Sequence, residues 1–509
     1  MTVGELLSGL HGAAQPRAAG PPAGAYQARA AGVVYDSRRS SPGSVFVALR
    51  GQHADAAAFA PQALARGAAI VIAESDPPAG LEGAWITVAD ARLALAQLAD
   101  RFYGHPSGDL AVVGVTGTNG KTTTAYLLRS IFEAAGRPCG LMGTVVYSIA
   151  GEEREAARTT PEAPEVQAML REMADRRCAA AVMEVSSHAL ALKRVDGIQF
   201  AAAVFTNLTR DHLDFHGDME GYATAKRRLF ELLPAGAPGV VNVDDPRAAS
   251  FMRLAARSVS YGLKHAADVT AHDVSLTLEG LAFSAHTPRG TLQIRSPLVG
   301  RPNVYNVLAA VAASVALDLP GGAIERGVAA LGGVPGRFQL ASTGADDVTA
   351  IVDYAHTDDA LRNLLETVRA LAPGRLVTVF GCGGDRDRTK RPLMAAVAGR
   401  LSDVVVVTSD NPRTEDPAAI IDEILRGMPA AAERGPARRA ERGPDVHTRV
   451  DRREAIESAV DLSRAGDVVV IAGKGHEKYQ VIGERVSKFD DVQVAREALA
   501  RRRARLRVT

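Results

Sequence analysis

A lysine and two threonines stand directly after a glycine-rich turn near residue 120. The apolar run 112–115 leads into Thr116-Gly117-Thr118-Asn119-Gly120-Lys121-Thr122-Thr123, and a helical pattern follows. Glycines let backbone N–H groups converge on phosphate oxygens, and the start of a helix adds positive potential. Lys121 supplies a point charge, and Thr122 offers a hydroxyl to Mg²⁺. The segment therefore predicts a loop that binds ATP and Mg²⁺.

The spacing of the glycines in this loop departs from the usual pattern. A phosphate loop normally has a glycine five residues before Gly120, where this chain has Val115, and its glycines stand at Gly114 and Gly117 instead. A tight strand-to-helix turn with a chance lysine is the alternative interpretation. The strand–loop–helix context favours the phosphate loop.

Polar residues also follow the next two apolar runs. Glu184 comes directly after the run 179–183, where nucleotide-binding folds hold Mg²⁺, although an exposed strand-end glutamate is the alternative. His212 lies in the polar cluster 206–216, whose density favours a site over a structural histidine. For Lys226, on an amphipathic helical pattern, charge alone predicts a solvated surface lysine.

Three further residues, at two places in the chain, have both a ligand interpretation and a local structural one. Asn303 and Asn306 open a predicted helix after Gly300-Arg301-Pro302, so their amides either face a ligand or cap the helix. Asp353 follows a predicted strand and either meets a ribose hydroxyl or forms an Asx-turn. The residues alone leave both choices open.

Three loops at predicted strand ends hold the remaining candidates. Residues 381–388 contain Arg386, residues 409–415 contain Arg413, and residues 473–477 contain Glu477. Loops beyond the carboxyl ends of parallel strands converge on one crevice. Two arginines and a glutamate match an amino acid with carboxylates and an ammonium group.

The helical patterns and β-like runs that must position these residues indicate an α/β fold of three domains. Turn-rich breaks at 103–109 and 331–337 divide the 509 residues into a small N-terminal α/β domain (1–106), a central phosphate-loop ATPase domain (107–337) and a C-terminal Rossmann-like α/β domain (338–509). The central runs are nearly continuous in apolar residues, which favours a mostly parallel sheet covered on both faces. The β-like runs are 32–35, 44–49, 68–72, 179–183, 201–205, 239–243, 349–352, 375–380, 403–407 and 467–471.

Composition narrows the class of protein. Lys and Arg total 59 against 58 Asp and Glu, which gives no electrostatic reason to expect nucleic acid as a partner. Three unpaired cysteines argue against a disulfide framework, and the lack of a long apolar stretch argues against membrane insertion. We expect a cytoplasmic protein and a monomer. The stretch 426–444, rich in Ala, Arg, Gly and Pro, predicts a surface excursion without an assigned function.

Taken together, the motifs resemble those of the Mur ligases, ATP-dependent amide-forming enzymes of peptidoglycan precursor synthesis. The phosphate loop without its early glycine is this family's own form. Leu192 and Arg158 depart from it, since glutamine and asparagine are common there. The motifs appear in the same order over nearly the whole chain: Thr116 to Thr123, Glu184-Val185-Ser186-Ser187-His188, Asn207 to Asp214, and Asp410-Asn411-Pro412-Arg413.

The resemblance implies roles for individual residues. Lys121, Glu184, His212 and Lys226 would be catalytic, with one Mg²⁺ on Thr122 and Glu184 and a second on His212 and a carbamylated Lys226 (N6-carboxylysine). The contacts to ATP would come from Gly117, Thr118, Asn119, Gly120, Lys121, Thr122, Thr123, Asn303, Asn306, Arg337 and Asp353. The UDP-sugar would contact Tyr35, Ser37, Gln52, His53, Ala54, Thr159, Thr160, Ser186 and Arg194. The amino acid would contact Arg386, Asp410, Asn411, Pro412, Arg413, Gly473 and Glu477.

The form of the Asp-Asn-Pro-Arg motif resembles that of family members that add meso-2,6-diaminopimelate to UDP-N-acetylmuramoyl-L-Ala-D-Glu. The resemblance thus implies those two substrates, with ATP and Mg²⁺. An L-lysine-adding member is one alternative. A folylpolyglutamate synthetase-like ligase is another, against which the N-terminal domain argues. A phosphate-loop ATPase that acts as a switch or scaffold is a third, and it leaves the three C-terminal loops without a purpose.

Overall fold

The chain forms three separate α/β units, each built on its own sheet. The computed structural model describes residues 1–14, 23–51, 55–372, 374–428 and 444–507. Each large sheet lies within one of the three predicted ranges, whose bounds stay a prediction. Gln52, His53 and Ala54 and residues 429–443 of the predicted excursion lie outside the described residues.

The N-terminal unit is a four-stranded parallel sheet in the order β1-β2-β3-β4. The three predicted β-like runs become β1 to β3, and β4 was not predicted. Buried aliphatic side chains such as Val45, Ile70 and Leu95 form its core. Its strands are β1 Gly32–Val34, β2 Ser44–Val47, β3 Ile70–Ala73 and β4 Trp85–Thr87, and its helices are α1 Val3–Leu7, α2 Ala23–Gln27, α3 Ala60–Ala65 and α4 Ala91–Phe102.

The central unit contains eleven strands and eight helices. The strands are β5 Ala111–Thr116, β6 Cys139–Met142, β7 Val146–Ile149, β8 Glu152–Glu155, β9 Ala180–Glu184, β10 Phe200–Phe205, β11 Pro238–Asn242, β12 Arg257–Gly262, β13 Val269–Leu276, β14 Leu281–Thr287 and β15 Gly290–Ser296. The helices are α5 Lys121–Ala134, α6 Ala163–Asp175, α7 Ser187–Ala191, α8 Leu213–His216, α9 Met219–Glu231, α10 Ala248–Met252, α11 Arg301–Ala316 and α12 Gly321–Ala330.

The order of the central strands places the phosphate loop at a topological switch point. The sheet runs β15-β14-β13-β12-β11-β10-β5-β9-β6-β7-β8, and its middle, from β13 through β6, is parallel. Strand β5 therefore has β10 on one side and β9 on the other, so the loops after all three strands meet. Strands β7, β8, β14 and β15 pair antiparallel at the edges.

The C-terminal unit is a doubly wound sheet in the order β16-β17-β21-β18-β19-β20, parallel except for β16. A separate hairpin pairs β22 with β23. The strands are β16 Gln339–Leu340, β17 Thr349–Asp353, β18 Leu376–Phe380, β19 Val404–Thr408, β20 Asp445–Arg449, β21 Val468–Ala472, β22 Tyr479–Ile482 and β23 Arg485–Lys488. The helices are α13 Asp358–Leu371, α14 Lys390–Leu401, α15 Pro417–Leu425, α16 Arg452–Leu462 and α17 Asp491–Leu506.

The sheets confirm the predicted α/β class, with a mostly parallel central sheet and a Rossmann-like C-terminal unit. Cores lie on both faces of the two larger sheets, as nearly continuous apolar strands require. Among the helices of the described ranges, none is both long and apolar enough to cross a membrane.

Candidate active site

The glycine-rich loop lies between β5 and the start of α5, as predicted. Gly117 has φ 146°, and a Cβ there would approach Thr206 Oγ1 to 1.9 Å. Gly120 has φ 87°, and a Cβ would lie 2.3 Å from Asn306 Oδ1. Since any other residue would be strained and obstructed at both positions, glycine is required here for the backbone to take this path.

The lysine of this loop folds back onto its own turn. Lys121 Nζ donates to the carbonyl oxygens of Gly117 at 2.9 Å and Thr118 at 2.8 Å. Burial lowers the pKa of Lys121, and the carboxylates of Glu184 and Asp211 oppose that effect. The ammonium group thus lies within the curve of the loop that a phosphate would enter.

Glu184 is almost fully buried at the end of β9, so the alternative of an exposed strand-end glutamate is wrong. Thr122 Oγ1 donates to its Oε2 at 2.9 Å. Thr144, which the sequence did not indicate, donates to the carboxylate twice, from its backbone N at 2.7 Å and from Oγ1 at 3.1 Å. The carboxylate is therefore held in one orientation beside the phosphate loop.

The residues after β10 brace the phosphate loop from the other side. Thr206 Oγ1 donates to the carbonyl oxygen of Asn119 at 2.6 Å, and Asn119 N donates to Asn207 Oδ1 at 3.0 Å. Thr118 Oγ1 donates to the carbonyl oxygen of Thr209 at 3.1 Å. The two predicted strand-end motifs thus form one structure, in which the second motif fixes the shape of the first.

His212 lies in the same crevice, with its ring 4.9 Å from that of His188 and 6.1 Å from that of Tyr222. Burial lowers the pKa of His212 to about 4, although Asp211 opposes the shift. The imidazole is therefore neutral near pH 7, the form in which histidine binds a metal ion.

Lys226 is buried, with 1% of its surface exposed, so the expectation of a solvated surface lysine is wrong. Helix α9 turns this residue inward, and its Nζ donates to the carbonyl oxygen of Gly117 at 2.7 Å, the oxygen that Lys121 also contacts. Its Nζ also lies 4.5 Å from the centre of the Tyr222 ring. Burial, together with the charge of Lys121, holds the pKa of Lys226 well below its usual value.

A cavity of about 450 Å³ lies where the central and C-terminal units meet, lined by residues of 297–303 and 332–340 and by none of the phosphate loop itself. Asn303 and Arg337 are among its lining residues. Asn303 donates to the carbonyl oxygen of Val299 at 2.8 Å and accepts from Asn306 Nδ2 at 2.9 Å. The volume is in the range of small-molecule sites. The ligand-facing role of the two amides stays a prediction.

Arg337 and Asp353 face the same junction. Arg337 donates to Thr122 Oγ1 at 3.3 Å, and its guanidinium lies 4.6 Å from the centre of the Tyr354 ring. Its buried Nε has no hydrogen-bond partner among the residues that the structure describes. Asp353 accepts from the backbone N of Ala355 at 2.8 Å, which is the Asx-turn, and burial raises its pKa. The ribose contact of Asp353 stays a prediction.

The predicted UDP-sugar residues that the structure describes belong to the N-terminal and central units, and Tyr35 joins the two units. Tyr35 donates to Glu165 at 3.2 Å, and Ser37 donates to Gln62 at 2.7 Å. The central members cluster around Glu184: Thr159 Oγ1 lies 3.1 Å from Thr144 Oγ1, Thr160 Oγ1 donates to Glu184 O at 2.8 Å, Ser186 N donates to Thr160 Oγ1 at 3.1 Å, and Arg194 donates to Thr160 O at 3.1 Å.

The three C-terminal loops converge as predicted, at the carboxyl ends of β18, β19 and β21. A Cβ on Gly383 would lie 3.0 Å from Arg413 and 3.8 Å from Arg386, so both arginines flank this glycine. Arg413 NH1 donates to the carbonyl oxygen of Gly384 at 2.7 Å. Asn411 Nδ2 donates to Glu477 Oε2 at 2.8 Å, which joins the second loop to the third.

Lys474 is fully buried between these loops, and the sequence did not single it out. Its Nζ donates to Asn411 Oδ1 at 3.0 Å and to Glu477 Oε2 at 3.1 Å. Asp410 lies against Gly473, where a Cβ would be 2.6 Å from its Oδ2, and Pro412 is buried beside Gly384. A lysine in a glycine-rich loop gives no sequence signal of burial.

The C-terminal unit also contacts the phosphate-loop side of the central unit. Arg210 donates to Thr389 Oγ1 at 2.6 Å, and Asn119 Nδ2 donates to Asp359 Oδ2 at 3.2 Å. The ring of His476 lies 4.9 Å from that of Tyr354. Arg210 also lies 3.8 Å from Asp387 of the Arg386 loop. The phosphate-loop side of the central unit therefore contacts one of the predicted amino-acid loops.

The donor atoms present fit Mg²⁺ bound mainly by ATP. No three His, Cys, Asp or Glu side chains form a metal site in the part of the chain that the structure describes. Magnesium at phosphate sites usually takes one or two protein ligands and fills the rest with phosphate and water. The hydroxyl and carboxylate oxygens of Thr122 and Glu184 are 2.9 Å apart and suit that arrangement.

Comparison with known proteins gives matches along most of the chain. Three family models match: the Mur ligase family catalytic domain over residues 29–103, the Mur ligase middle domain over 115–314, and the Mur ligase glutamate ligase domain over 336–475.

The chain is 48% identical over 478 residues to a UDP-N-acetylmuramoyl-L-alanyl-D-glutamate--2,6-diaminopimelate ligase of Gloeobacter violaceus, which covers 93% of this chain and 95% of that relative. A ligase of the same name from Solibacter usitatus is 46% identical over 503 residues, 98% of each chain. A solved structure described by that name is 35% identical, has a TM-score of 0.66, and covers 93% of this chain and 95% of that chain.

Proposed function

The chain belongs to the Mur ligase family, and from that premise we propose that it joins meso-2,6-diaminopimelate to the D-glutamate γ-carboxylate of UDP-N-acetylmuramoyl-L-Ala-D-Glu, using ATP and Mg²⁺. The observation that carries the proposal is that the phosphate-loop side of the central unit contacts the C-terminal unit, including Asp387 of the Arg386 loop, whose neighbouring loops converge beside it. Relatives 48% and 46% identical over nearly the whole chain carry the name of that activity.

The reaction needs two displacement steps. An oxygen of the γ-carboxylate attacks the γ-phosphorus of ATP, and the bond to the bridging oxygen breaks, which gives an acyl phosphate and ADP. An amine of diaminopimelate then attacks the acyl carbon, the bond to the phosphate oxygen breaks, and the amine loses a proton as phosphate leaves. Such phosphoryl transfer depends on positioning and charge neutralisation.

The residues around the phosphate loop would supply both the positioning and the charge neutralisation. Lys121 would turn from the carbonyls of Gly117 and Thr118 to the phosphates, and backbone N–H groups of the loop would hold their oxygens. Mg²⁺ would supply charge neutralisation, held at one position by Thr122 and Glu184 and at a second by His212 and Lys226. Closure of the C-terminal unit would keep water from the acyl phosphate.

We propose that Lys226 carries a carbamate. In the unmodified state two lysines donate to the one carbonyl oxygen of Gly117, and the pKa of Lys226 is well below its usual value. An unprotonated amine attacks CO₂, and the product carries a carboxylate once a proton is released. This anion would attract Lys121 instead of repelling it and would help to hold the second metal ion.

The loops of the C-terminal unit would recognise the amino acid. The distal carboxylate of diaminopimelate would pair with the guanidinium of Arg413, through two parallel hydrogen bonds. L-Lysine lacks this carboxylate and would leave the arginine unpaired in a closing site. Arg386 and Glu477 would hold the other polar ends, leaving one amine free to attack.

Phosphate release measured with purified protein, ATP, Mg²⁺ and the UDP-muramoyl-dipeptide tests the proposal. Release should depend on diaminopimelate and be much slower with L-lysine or without an amino acid. Equal or better use of L-lysine would favour the lysine-adding alternative, and use of a folate with glutamate would favour the folylpolyglutamate synthetase-like one. ATP turnover independent of any amino acid would favour a phosphate-loop ATPase that acts as a switch or scaffold.

We further propose that the enzyme acts as a monomer in the cytoplasm. All the residues that the proposal assigns to substrates come from one chain. Light scattering at assay concentrations measures the mass directly, and a dimer mass would contradict the proposal.

A further inference from the structure

An arginine behind the amino-acid loops forms a fully buried ion pair. Arg452 and Asp491 both have side chains with no exposed surface. Arg452 Nε donates to Asp491 Oδ1 at 2.8 Å, and its NH2 donates to Oδ2 at 2.7 Å. The two residues are the first of α16 and α17, so the pair also joins the starts of these helices.

The same guanidinium reaches two backbone carbonyls that stand next to the amino-acid site. Its NH1 donates to the carbonyl oxygen of Ser409 at 3.2 Å, and its NH2 donates to that of Ala472 at 3.0 Å. Ser409 directly precedes Asp410 in the Arg413 loop, and Ala472 directly precedes Gly473 in the Glu477 loop. One side chain thus holds the bases of both loops.

The two strands that Arg452 connects are not neighbours in the sheet. Strand β18 lies between β19 and β21, and it leads into the Arg386 loop. The three loop bases approach closely, because a Cβ on Gly381 would lie 2.3 Å from the carbonyl oxygen of Thr408, and a Cβ on Gly473 would lie 3.8 Å from the carbonyl oxygen of Gly381. A small change in the spacing of β19 and β21 would therefore move all three loops.

The charges nearby favour the ionised arginine. Burial alone would lower the pKa of Arg452, but Asp491, with further contributions from Asp410 and Glu477, raises it above its usual value. Two of these acids belong to the loops at the amino-acid site. The guanidinium therefore attracts both loops in addition to its hydrogen bonds to their bases.

We infer that Arg452 is a positioning residue that fixes the spacing between the Arg413 loop and the Glu477 loop, and thereby the affinity for the amino acid. Arg452 is fully buried behind the loops and would act through their backbone carbonyls rather than by touching the amino acid. The inference rests on the proposed function for the identity of the amino acid, but the loop geometry does not depend on that identity.

The chain contains a matched control at the opposite edge of the same sheet. Arg502 donates to both carboxylate oxygens of Asp347 at 2.8 Å, and its NH1 donates to the carbonyl oxygens of Val460 at 2.9 Å and Ser463 at 2.8 Å. Asp347 precedes β17, so this pair lies at the amino ends of the strands. The two arginines make the same kinds of bond, but only Arg452 contacts the loops.

The experiment compares Arg452→Lys with Arg502→Lys in the full chain. Lysine keeps the charge but lacks the planar fork, so it cannot hold the carboxylate and two carbonyls together. We expect Arg452→Lys to raise the KM for diaminopimelate by about tenfold or more and the KM for ATP by less than about twofold. Arg502→Lys should lower Tm by a smaller amount, since that pair is partly exposed, and leave both KM values unchanged.

Hydrogen exchange of the loop amides gives a readout that needs no substrate. Exchange in peptides covering 410–415 and 473–478 should be faster in Arg452→Lys than in the wild type and unchanged in Arg502→Lys. Asp491→Asn decides the question if Arg452→Lys does not fold: a selective rise in the KM for diaminopimelate supports the inference, and an unchanged KM overturns it.

The outcomes separate this inference from the proposed function. A folded Arg452→Lys with wild-type KM for the amino acid and wild-type loop exchange overturns the inference, and so does an equal rise in the KM for ATP. A wild type that does not use diaminopimelate overturns the proposed function instead. In that case the loop exchange, and the KM for whichever amino acid the wild type accepts, still test the role of Arg452.

Discussion

Replacing Lys226 by alanine should lower kcat by about 10²–10³-fold, the range typical for removing one group that stabilises charge in a transition state. Lys226 and Lys121 donate to one oxygen at 2.7 and 2.9 Å. At about 5 Å and an effective dielectric constant of about 20, two such ammonium groups would repel by about 3 kcal/mol. A carbamate on Lys226 reverses the sign of that interaction and supplies an anion where the second Mg²⁺ is proposed.

Three variants of Lys226 test whether activity requires a negative charge at this position or the lysine side chain itself. Lys226→Arg keeps a cation and should be as inactive as Lys226→Ala, whereas Lys226→Glu restores an anion and should recover part of the lost activity. Lys264→Ala is the control, because Lys264 is an exposed lysine of the same unit and should behave as the wild type. Phosphate release with saturating substrates gives kcat for each.

Carbon dioxide gives an independent readout. Wild-type activity should fall in CO₂-depleted buffer and return with bicarbonate, and ¹³C-labelled bicarbonate should produce a carbamate signal that Lys226→Ala lacks. An active Lys226→Ala or Lys226→Arg would refute the reasoning. So would a wild type with full activity and no carbamate signal.

Three other expectations follow from the geometry. Arg413→Ala should lower kcat/KM for diaminopimelate by about 10²-fold or more with little change in the KM for ATP, because a bidentate contact to a charged carboxylate is lost; comparable losses for L-lysine would contradict this. Glu184→Gln should raise the Mg²⁺ concentration for half-maximal activity by about tenfold, because a neutral amide replaces a charged carboxylate ligand of the metal ion. A Mg²⁺ titration of activity measures this change. Burial lowers the pKa of His476 to about 3, so the unfolded chain binds a proton below about pH 6.5 that the folded chain does not. Stability should fall from about pH 6.5 towards 3, and urea unfolding of His476→Gln should show a smaller fall.

Parts of the site that are formed by consecutive residues could be predicted from the sequence. The glycine-rich loop needs only consecutive residues between a strand and a helix, and the structure places it there. The three C-terminal loops were predicted to converge because parallel strands share one carboxyl edge. Gly117 shows the limit of such local prediction. A side chain at this position would collide with Thr206, which lies 89 positions further along the chain.

Contacts that depend on packing were not predictable. Lys226 appears as one charge on an amphipathic helix, and only the packing of α9 beneath β5 buries it, as the contact of Leu229 with Gly114 shows. Thr144 and Lys474 likewise become important through partners far away in sequence. Strands β13 and β20 were missed because their side chains are mostly exposed, so they contain no apolar run.

The contacts across the crevice explain why the two chemical steps need one assembled site. Arg337 contacts Thr122 of the phosphate loop and the ring of Tyr354, and that ring meets His476, the neighbour of Glu477. On the other side, Arg210 follows β10 and donates to Thr389, just beyond the Arg386 loop. A nucleotide that orders the phosphate loop would therefore also bias the loops that hold the amino acid. Since an acyl phosphate reacts with water, this coupling would favour its formation only when the attacking amine is in place.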